Sequence, residues 1–242
     1  MRDKAIEREN ILEQLKKIAE EIRDEEIRQA VLNILSDPKI TFTHIQPKIS
    51  LTESPAAPRK HHAYPGGLLE HTLSVTRLAT NMAEALRETY NLPIDKDLVV
   101  AAAILHDLFK YYQYEWDSAT NSYRPRTDWY LSHDFAMVAE LSIRRAPDKL
   151  IRVIAEVHGT VPFTMIESLI VHHADSMDAD LVARIQDILW EVSRDIETET
   201  GYPVIKVFYN VLRLLDLRKI WETYKHKGRQ GLRDEIKRII NI

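Results

Sequence analysis

Apolar residues recur along much of the chain with the spacing of amphipathic α-helices. The first apolar stripe comprises Ile11, Leu15, Ile18 and Ile22, and a later one comprises Leu68, His71, Val75, Leu78, Met82 and Leu86. A helix is predicted between them from about Glu25 to Leu35, because the residue before Pro38 disfavours the helical conformation. The later stripe predicts a helix from Gly66 to about Tyr90.

The most apolar run lies further on, from Leu98 to Leu105. It predicts a buried helix that is capped by Asp95 or Asp97 and ends at about Lys110. Further helices are predicted from Ser132 or Asp134 to before Pro147, from Asp148 to His158, from Thr164 to beyond Asp187, and after Pro203. No strand-rich block or repeat interrupts this order, so the predicted fold class is all-α.

Two segments lack helical periodicity. Residues 37–65 contain five prolines, and a loop of this length in a compact domain is often functional. A connection that merely crosses the surface is an equally good interpretation of this segment. Residues 112–130 are aromatic and polar, which predicts a loop or a short hairpin. Both segments are candidates for a lid over a binding site.

The composition is that of a globular protein and excludes several kinds of chemistry. Hydrophobic residues make up 45% of the chain and the formal net charge is −4, which argues against disorder and against a generally basic nucleic-acid coat protein. The absence of cysteine excludes disulfides, zinc–thiolate sites and cysteine nucleophiles, and it fits a cytoplasmic location. The charged N-terminal segment has no signal-peptide core, and no apolar run approaches the length of a membrane span, so no membrane partner is expected.

Histidine and aspartate carry the candidate chemistry. Several histidines and aspartates lie on apolar helix faces or at helix ends, namely His71, His106, Asp107, His133, His158, His172, His173 and Asp175. A lone histidine on an apolar face is usually a core residue with its own hydrogen-bond partner. Here, however, each of several buried histidines and aspartates would need a separate partner. One or two divalent metal ions would satisfy them together, and a histidine–carboxylate set suits Fe, Mn, Co, Ni or Zn better than Ca or Mg alone.

The adjacent pair His106–Asp107 constrains the geometry. Neighbouring side chains on a helix point about 100° apart, so both reach one metal ion only at a helix end. With two ions about 3.5–4 Å apart, the carboxylate of Asp107 could bridge them. Lys110 faces nearly the same way as Asp107 and is a candidate for neutralising a phosphate oxygen; an exposed lysine near the helix dipole is the alternative.

The motif formed by His71, His106–Asp107 and Asp175 resembles the HD superfamily of metal-dependent phosphohydrolases. The segment HHAYPGGLLEHT at 61–72 resembles the surroundings of the first ligand in the HD domains of bacterial 3′–5′ exoribonucleases and their archaeal relatives. ILHDLFK at 104–110 resembles their ILHDIGK signature, but Phe109 replaces the usual glycine, which argues against a close approach of backbone to substrate there. The stretch 169–180 resembles their closing H-x-A-D segment.

The resemblance covers roughly residues 55–185 and implies an all-α fold, a single HD-domain helical bundle with added N- and C-terminal helices. The domain is expected to comprise residues 1–242, with helical extensions at 1–36 and 203–242. The implied metal ligands are His71, His106, Asp107, His133, His158 and Asp175, and the implied catalytic residues are Asp107 and Lys110. His62 and His172 rank lower as candidates for metal or substrate binding, His61 and His173 are expected to face away, and Asp134 is expected to begin a helix.

The same resemblance implies hydrolysis of a phosphoric ester by a metal-bound hydroxide that attacks phosphorus. The first candidate function is a phosphodiesterase for a small cyclic phosphate, because the motifs are similar to those of archaeal dihydroneopterin 2′,3′-cyclic phosphate phosphodiesterases. That family implies one or two divalent ions per chain, with Fe2+ or Mn2+ favoured over Zn, Ni, Co or Mg. Aromatic side chains near the HD motif could stack on a substrate, or they could form a hydrophobic cap over the helical bundle. They are Tyr111, Tyr112, Tyr114, Trp116, Trp129 and Tyr130.

Two other functions stay open on the sequence. Residues 217–242 hold eight lysines and arginines against three acids, which would suit a nuclease or nucleotidase; an amphipathic helix with a solvated face is the favoured alternative. A non-catalytic nucleotide-binding module is less favoured, because the ligand positions are intact. The expected partner is therefore a small phosphorylated substrate, with nucleic acid not favoured and a homo-oligomer compatible with the sequence.

Overall fold

The computed structural model describes the backbone of residues 2–242 and the side chains of residues 10–242. The α-helices of that part are α1 (Arg2–Glu20), α2 (Glu25–Ser36), α3 (Gly67–Tyr90), α4 (Lys96–Leu105), α5 (His133–Ile143), α6 (Asp148–Glu156), α7 (Ile166–Thr200), α8 (Val204–Leu214) and α9 (Leu217–Ile240). Two short 3₁₀ helices, Leu51–Glu53 and Leu108–Tyr112, lie between them. The predicted all-α fold is confirmed, since the helices dominate and the only sheet in the described part has two strands.

Helix α4 is the centre of the structure. Its apolar residues from Leu98 to Leu105 are all buried, and α1, α2, α3, α6 and α7 pack around it. The side chain of Asp95 caps α4 by accepting hydrogen bonds from the backbone N–H groups of Asp97 and Leu98. Asp97, the other candidate cap, instead accepts from the backbone of the α1–α2 turn and so ties that turn to α4.

The prediction that this helix continues to about Lys110 is wrong. Helix α4 ends at Leu105, His106 still has helical dihedral angles, and Asp107 turns out of the helix with φ −112° and ψ −4°. A five-residue 3₁₀ helix follows, Leu108–Tyr112. Because 3₁₀ geometry winds more tightly, this change re-aims the side chains that follow His106.

The aromatic segment forms the hairpin that was one of its two predicted structures. Strand β1 (Tyr114–Asp117) pairs antiparallel with β2 (Ser122–Pro125). At the turn, Asn121 donates a hydrogen bond to Asn210 on α8. In β2, the hydroxyl of Tyr123 donates to the carbonyl of Glu53 in the proline-rich loop. The hairpin is thus attached both to α8 and to residues 37–65.

Helix α7 joins two apolar clusters. Its N-terminal half packs in the large cluster built from α1 to α6, and its C-terminal half packs against α8 and α9 together with Ala63 and Tyr64. With 35 residues it extends about 50 Å. No helix in the described part of the chain is long and apolar enough to cross a membrane.

Candidate metal centre

Four side chains converge beside the end of α4. His71 lies on α3, His106 and Asp107 follow α4, and Asp175 lies on α7. Nε2 of His71 is 3.3 Å from Asp107 Oδ2 and 3.0 Å from Asp175 Oδ1. Nε2 of His106 is 3.6 Å and 3.8 Å from the same two oxygens. These four donor atoms all lie within 4.8 Å of one another.

The arrangement fits a bound cation. Donor atoms that bind one ion at about 2.1 Å lie roughly 3–4 Å from one another. Nε2 of His71, Nε2 of His106 and Oδ1 of Asp107 are buried and make no hydrogen bond within residues 10–242. An unsatisfied buried polar atom costs about 1–3 kcal/mol, a cost that a divalent cation shared by these donors would remove.

A second group of donors shares Asp107. Nε2 of His133, at the start of α5, is 3.0 Å from Asp107 Oδ1, and Nε2 of His158, just after α6, is 3.6 Å from the same oxygen. The two imidazole Nε2 atoms are 3.1 Å apart. Because Oδ2 of Asp107 faces the first group and Oδ1 faces the second, this carboxylate lies where a bridging ligand between two ions would lie.

The orientation of the two most deeply buried histidines is set by their other ring nitrogens. Nδ1 of His106 is 2.8 Å from the carbonyl oxygen of Ala103, and Nδ1 of His71 is 2.6 Å from Asp178 Oδ2. Both partners only accept hydrogen bonds, so each Nδ1 donates and each Nε2 is the nitrogen that faces the candidate centre and can bind a metal ion there. Asp178 belongs to the stretch 169–180 that resembles the closing H-x-A-D segment, but no role was expected for it, although it lies three residues after Asp175 and so on nearly the same face of a helix.

Three carboxylates surround His71. Burial alone would lower the pKa of His71, but the contacts with Asp107, Asp175 and Asp178 outweigh it and raise that pKa to about 10. Burial would also raise the pKa of Asp107, yet Lys110 and His106 hold it well below its ordinary value. The carboxylates around His71 therefore favour a positive charge at this nitrogen. A metal ion that binds Nε2 of His71 would take the place of its proton.

Lys110 is not a surface lysine. Its Nζ lies 2.5 Å from Asp107 Oδ2, and its side chain is only 13% exposed. Burial would lower the pKa of Lys110, but Asp107 outweighs it and raises that pKa, so the side chain is a cation at neutral pH. The alternative interpretation, an exposed residue at a helix end, is wrong, because the 3₁₀ turn after Asp107 carries Lys110 back toward the carboxylate.

His61 and His62 form a buried pair next to His71. Their Nδ1 atoms are 3.2 Å apart, and their ring centroids lie 4.9 Å and 5.2 Å from that of His71. The expectation that His61 faces away is therefore wrong. An extended chain would point neighbouring side chains to opposite sides, but His62 has a φ of 46°, which breaks the alternation. Burial lowers the pKa of His61 to about 4 and that of His62 to about 3, so both imidazoles are neutral at pH 7.

The glycines of the HHAYPGGLLEHT segment are explained by this loop. Gly66 has a φ of 83°, in the left-handed region. A Cβ atom on Gly67 would lie 2.2 Å from the carbonyl oxygen of His62, so only glycine lets the loop pack this closely on α3. On the other side, Gln186 of α7 accepts from the N–H of Ala63 and donates to the carbonyl of Lys60. The loop that carries the histidine pair is therefore fixed from two sides.

The remaining candidates lie outside these groups of donors. Nδ1 of His172 bonds to the carbonyl oxygen of Val157 at 2.8 Å, and its ring packs against Phe163. Among the described residues it therefore belongs neither to the two groups of donors above nor to a third group that could hold an ion, His61, His62 and His71. His173 is exposed, as expected. Asp134 lies in the first turn of α5, which agrees with the expectation of a helix-start carboxylate.

Some of the aromatic residues form a hydrophobic cap, and others are exposed and could still stack on a substrate. Tyr111 and Tyr112 are buried, and Trp129 packs against Tyr112, so these three belong to a hydrophobic cap over α4. Tyr130 is 74% exposed and Trp116 lies at the surface of the hairpin. The ring of Tyr130 stacks on Trp129 and that of Trp116 packs against Tyr123, and stacking on a substrate stays a prediction.

Comparison with known proteins places these residues in a family context. The family model for the HD domain matches residues 68–180. The chain is 36% identical over 239 residues to the dihydroneopterin 2′,3′-cyclic phosphate phosphodiesterase of Methanocaldococcus jannaschii, an alignment that covers 94% of this chain and 91% of that protein.

More distant similarity extends to bacterial nucleases. The chain is 32% identical to the 3′-5′ exoribonuclease YhaM of Bacillus velezensis, over 53% of this chain and 43% of that protein, and 32% identical to YhaM of Bacillus subtilis, over 52% and 43%. No solved structure matches the chain significantly.

Proposed function

This chain belongs to the HD domain family, and we propose that it is a metal-dependent phosphodiesterase that opens a small cyclic phosphate. The observation that carries the proposal is the similarity, along almost the whole chain, to a protein whose name gives that reaction, dihydroneopterin 2′,3′-cyclic phosphate phosphodiesterase. Water adds across one P–O ester bond of the ring, which yields a phosphomonoester and a free hydroxyl group.

The two groups of donors described above support a site for two divalent ions. His71, His106, Asp175 and Oδ2 of Asp107 would hold the first, and His133, His158 and Oδ1 of Asp107 would hold the second. The chemistry that such ions supply is Lewis acidity toward phosphate oxygens and a water of lowered pKa. Histidine-rich donor sets of this kind suit transition metals, and we propose Fe2+ or Mn2+ ahead of Zn, Ni, Co or Mg.

Lys110 supplies a positive charge next to this centre. Since its ammonium group already lies 2.5 Å from Asp107 Oδ2, a phosphate bound at the centre would come within reach of it. A cation held there neutralises charge that develops on the phosphate oxygens in the transition state. Removing the charge should therefore slow turnover without removing the donors that hold the metal.

A nuclease function is less well supported by the C-terminal helix. Arg229 is 2.6 Å from Asp195 and 3.1 Å from Glu191, and Lys237 is 2.6 Å from Glu199. Acids of α7 thus pair with part of the basic set of α9, which leaves fewer of its charges for a phosphate backbone. On the other face, Leu232 and Ile236 are fully buried, as the amphipathic alternative requires.

The test is a comparison of three substrates with anaerobically prepared protein supplied with Fe(II) or Mn(II). We expect selective opening of a 2′,3′-cyclic phosphate, with a linear RNA and a simple phosphomonoester unchanged. Shortening of the RNA while the cyclic compound is untouched would assign the protein to the nucleases. No hydrolysis of any of the three would favour a non-catalytic nucleotide-binding module.

Two variants control that assay. Asp107→Asn removes the charge of the carboxylate that both groups of donors share and should abolish hydrolysis. Asp187→Asn makes the same chemical change at an exposed position of α7 and should leave hydrolysis unchanged.

The remaining sequence-based expectations extend this proposal. We propose that residues 1–242 act as one domain, because α7 contributes to both apolar clusters. The cytoplasmic location and the homo-oligomer stay predictions.

A further inference from the structure

We propose that Asp178 is a positioning residue that fixes His71 as a ligand and sets the affinity of the first metal ion. Asp178 lies on α7 and is buried, with 4% of its surface exposed. Its Oδ2 is 2.6 Å from Nδ1 of His71, and the two residues are 107 positions apart in the chain. This role rests on the proposed function, because it requires a metal ion bound to Nε2 of His71.

The contact determines which nitrogen of His71 is free. An ionised carboxylate has no hydrogen to donate, so the short contact requires that Nδ1 of His71 carries the proton. Nε2 is then the nitrogen that can bind the ion once its own proton is displaced, and it lies 3.3 Å from Asp107 Oδ2 and 3.0 Å from Asp175 Oδ1. A carboxylate on the far side of an imidazole ligand also increases its basicity, and loss of such a partner typically weakens metal binding by about 10–100-fold.

Asp178 is itself held in place. The hydroxyl of Ser74 donates to its Oδ1 at 2.5 Å, and Ser74 lies one turn after His71 on α3. Nε2 of His62 lies 3.6 Å from Oδ2. Both oxygens of one buried carboxylate are thus engaged by groups that surround His71, which leaves Asp178 little freedom to move away from the imidazole.

The effect should be confined to one of the two ions. The other histidine of the first group, His106, donates from Nδ1 to a neutral backbone carbonyl, that of Ala103. His133 and His158, in the second group, lie near Asp107 rather than Asp178. A change at Asp178 should therefore weaken the first site and leave the second site at its normal affinity.

The experiment is an equilibrium titration of metal-free protein with Mn2+, in which free Mn2+ is measured by electron paramagnetic resonance. Wild-type protein, Asp178→Asn and Asp178→Ala are compared, each alone and combined with His133→Ala, which removes the second site. Asp178→Asn keeps an oxygen that accepts from Nδ1 but loses the charge, so we expect Mn2+ to bind the first site about 10-fold more weakly. Asp178→Ala removes the acceptor as well, and we expect a loss closer to 100-fold.

Two further variants separate this role from general damage. Asp180→Asn makes the same charge change two residues away at an exposed position of α7 and should titrate as wild type. Ser74→Ala leaves Asp178 in place but frees one of its oxygens, and it should weaken Mn2+ binding by a few-fold even if the Asp178 variants do not fold. Hydrolysis lost by Asp178→Asn at low Mn2+ should return at saturating Mn2+, which a misfolded site would not allow.

The outcomes distinguish this role from the proposed function. Wild-type protein that binds no Mn2+ would overturn both. Wild-type protein that binds Mn2+ while Asp178→Asn and Ser74→Ala bind it within twofold of the wild-type affinity would overturn the role of Asp178 alone. Selective weakening of the site that survives in His133→Ala would support it.

Discussion

Replacing Glu156 by glutamine should destabilise the folded protein near neutral pH and matter less as the pH falls. Glu156 ends α6 and is buried, with 4% of its surface exposed. Its carboxylate accepts hydrogen bonds from the backbone N–H groups of Thr164 and Met165, at 2.9 Å and 3.0 Å, from the hydroxyl of Ser168 at 2.7 Å, and from the hydroxyl of Thr164. It therefore closes the loop between His158 and the start of α7.

The pKa of Glu156 sets the size of the effect. Burial would raise this pKa, but the hydrogen bonds from Thr164 and Ser168 outweigh it and lower the pKa from 4.5 to about 2. A shift of that size corresponds to about 3 kcal/mol in favour of the ionised folded state. Because the loop lies at the surface, solvent screening reduces the contribution, and we expect Glu156→Gln to lower the free energy of unfolding by about 2 kcal/mol.

The pH dependence follows from the direction of the shift. The folded-state pKa is depressed, so the stabilisation is fully present above pH 4.5 and is lost as the pH falls through about 2. Urea unfolding of metal-free wild-type protein and Glu156→Gln, followed by circular dichroism from pH 7 to pH 3, measures the difference directly. Glu88→Gln, at an exposed position of α3, is the matched control. Two results would refute the reasoning. One is a difference in the free energy of unfolding below about 0.5 kcal/mol at pH 7, which is the range of ordinary surface substitutions. The other is a difference that does not become smaller as the pH falls.

Three other changes test the metal centre and its surroundings. Asp107→Ala should abolish both metal binding and hydrolysis, and retained activity, measured with metal analysis of the same sample, would contradict a shared bridging carboxylate. Lys110→Met should keep the bound metal but reduce kcat by about 100-fold, since it removes one stabilising charge; an unchanged kcat would mean that Lys110 has no part in the reaction. Gly67→Ala should lower the free energy of unfolding by about 1–3 kcal/mol, because the added methyl group meets the carbonyl oxygen of His62, and thermal unfolding at wild-type Tm would show that the loop yields without cost.

The local pattern of the sequence was enough to predict the helices. Apolar spacing indicated the buried faces of α3 and α4, and Asp95 was one of two expected caps of α4. Boundaries were less secure: the helix expected to continue to Lys110 ends at Leu105, and the one expected from Thr164 begins at Ile166. Such details depend on one or two residues whose dihedral angles are set by packing rather than by periodicity.

The candidate ligand positions were also within reach of the sequence. His71, His106, Asp107 and Asp175 occur in a motif with family-specific surroundings, and their donor atoms lie within 4.8 Å of one another in the fold. The motif identified residue types and order. It contained no information on which oxygen of Asp107 faces which histidine.

Contacts between distant segments were decided by the tertiary structure alone. Asp178 meets His71 only because α7 packs on α3, and nothing in the local sequence pairs residues 107 positions apart. In the same way, the ion pairs of Arg229 and Lys237 on α9 with Glu191, Asp195 and Glu199 on α7 exist only because the two helices pack together.

The sequence by itself therefore determined the helices, the family motif and the histidine–aspartate chemistry, because periodicity and short motifs are properties of neighbouring residues. The tertiary structure decided the orientation of His61, the burial of Lys110 against Asp107 and the partner of His71. These depend on one backbone angle at His62, on the change from α to 3₁₀ geometry at Asp107, and on the packing of α7 against α3. A buried polar group takes the partner that the fold brings to it, and that choice is made in three dimensions.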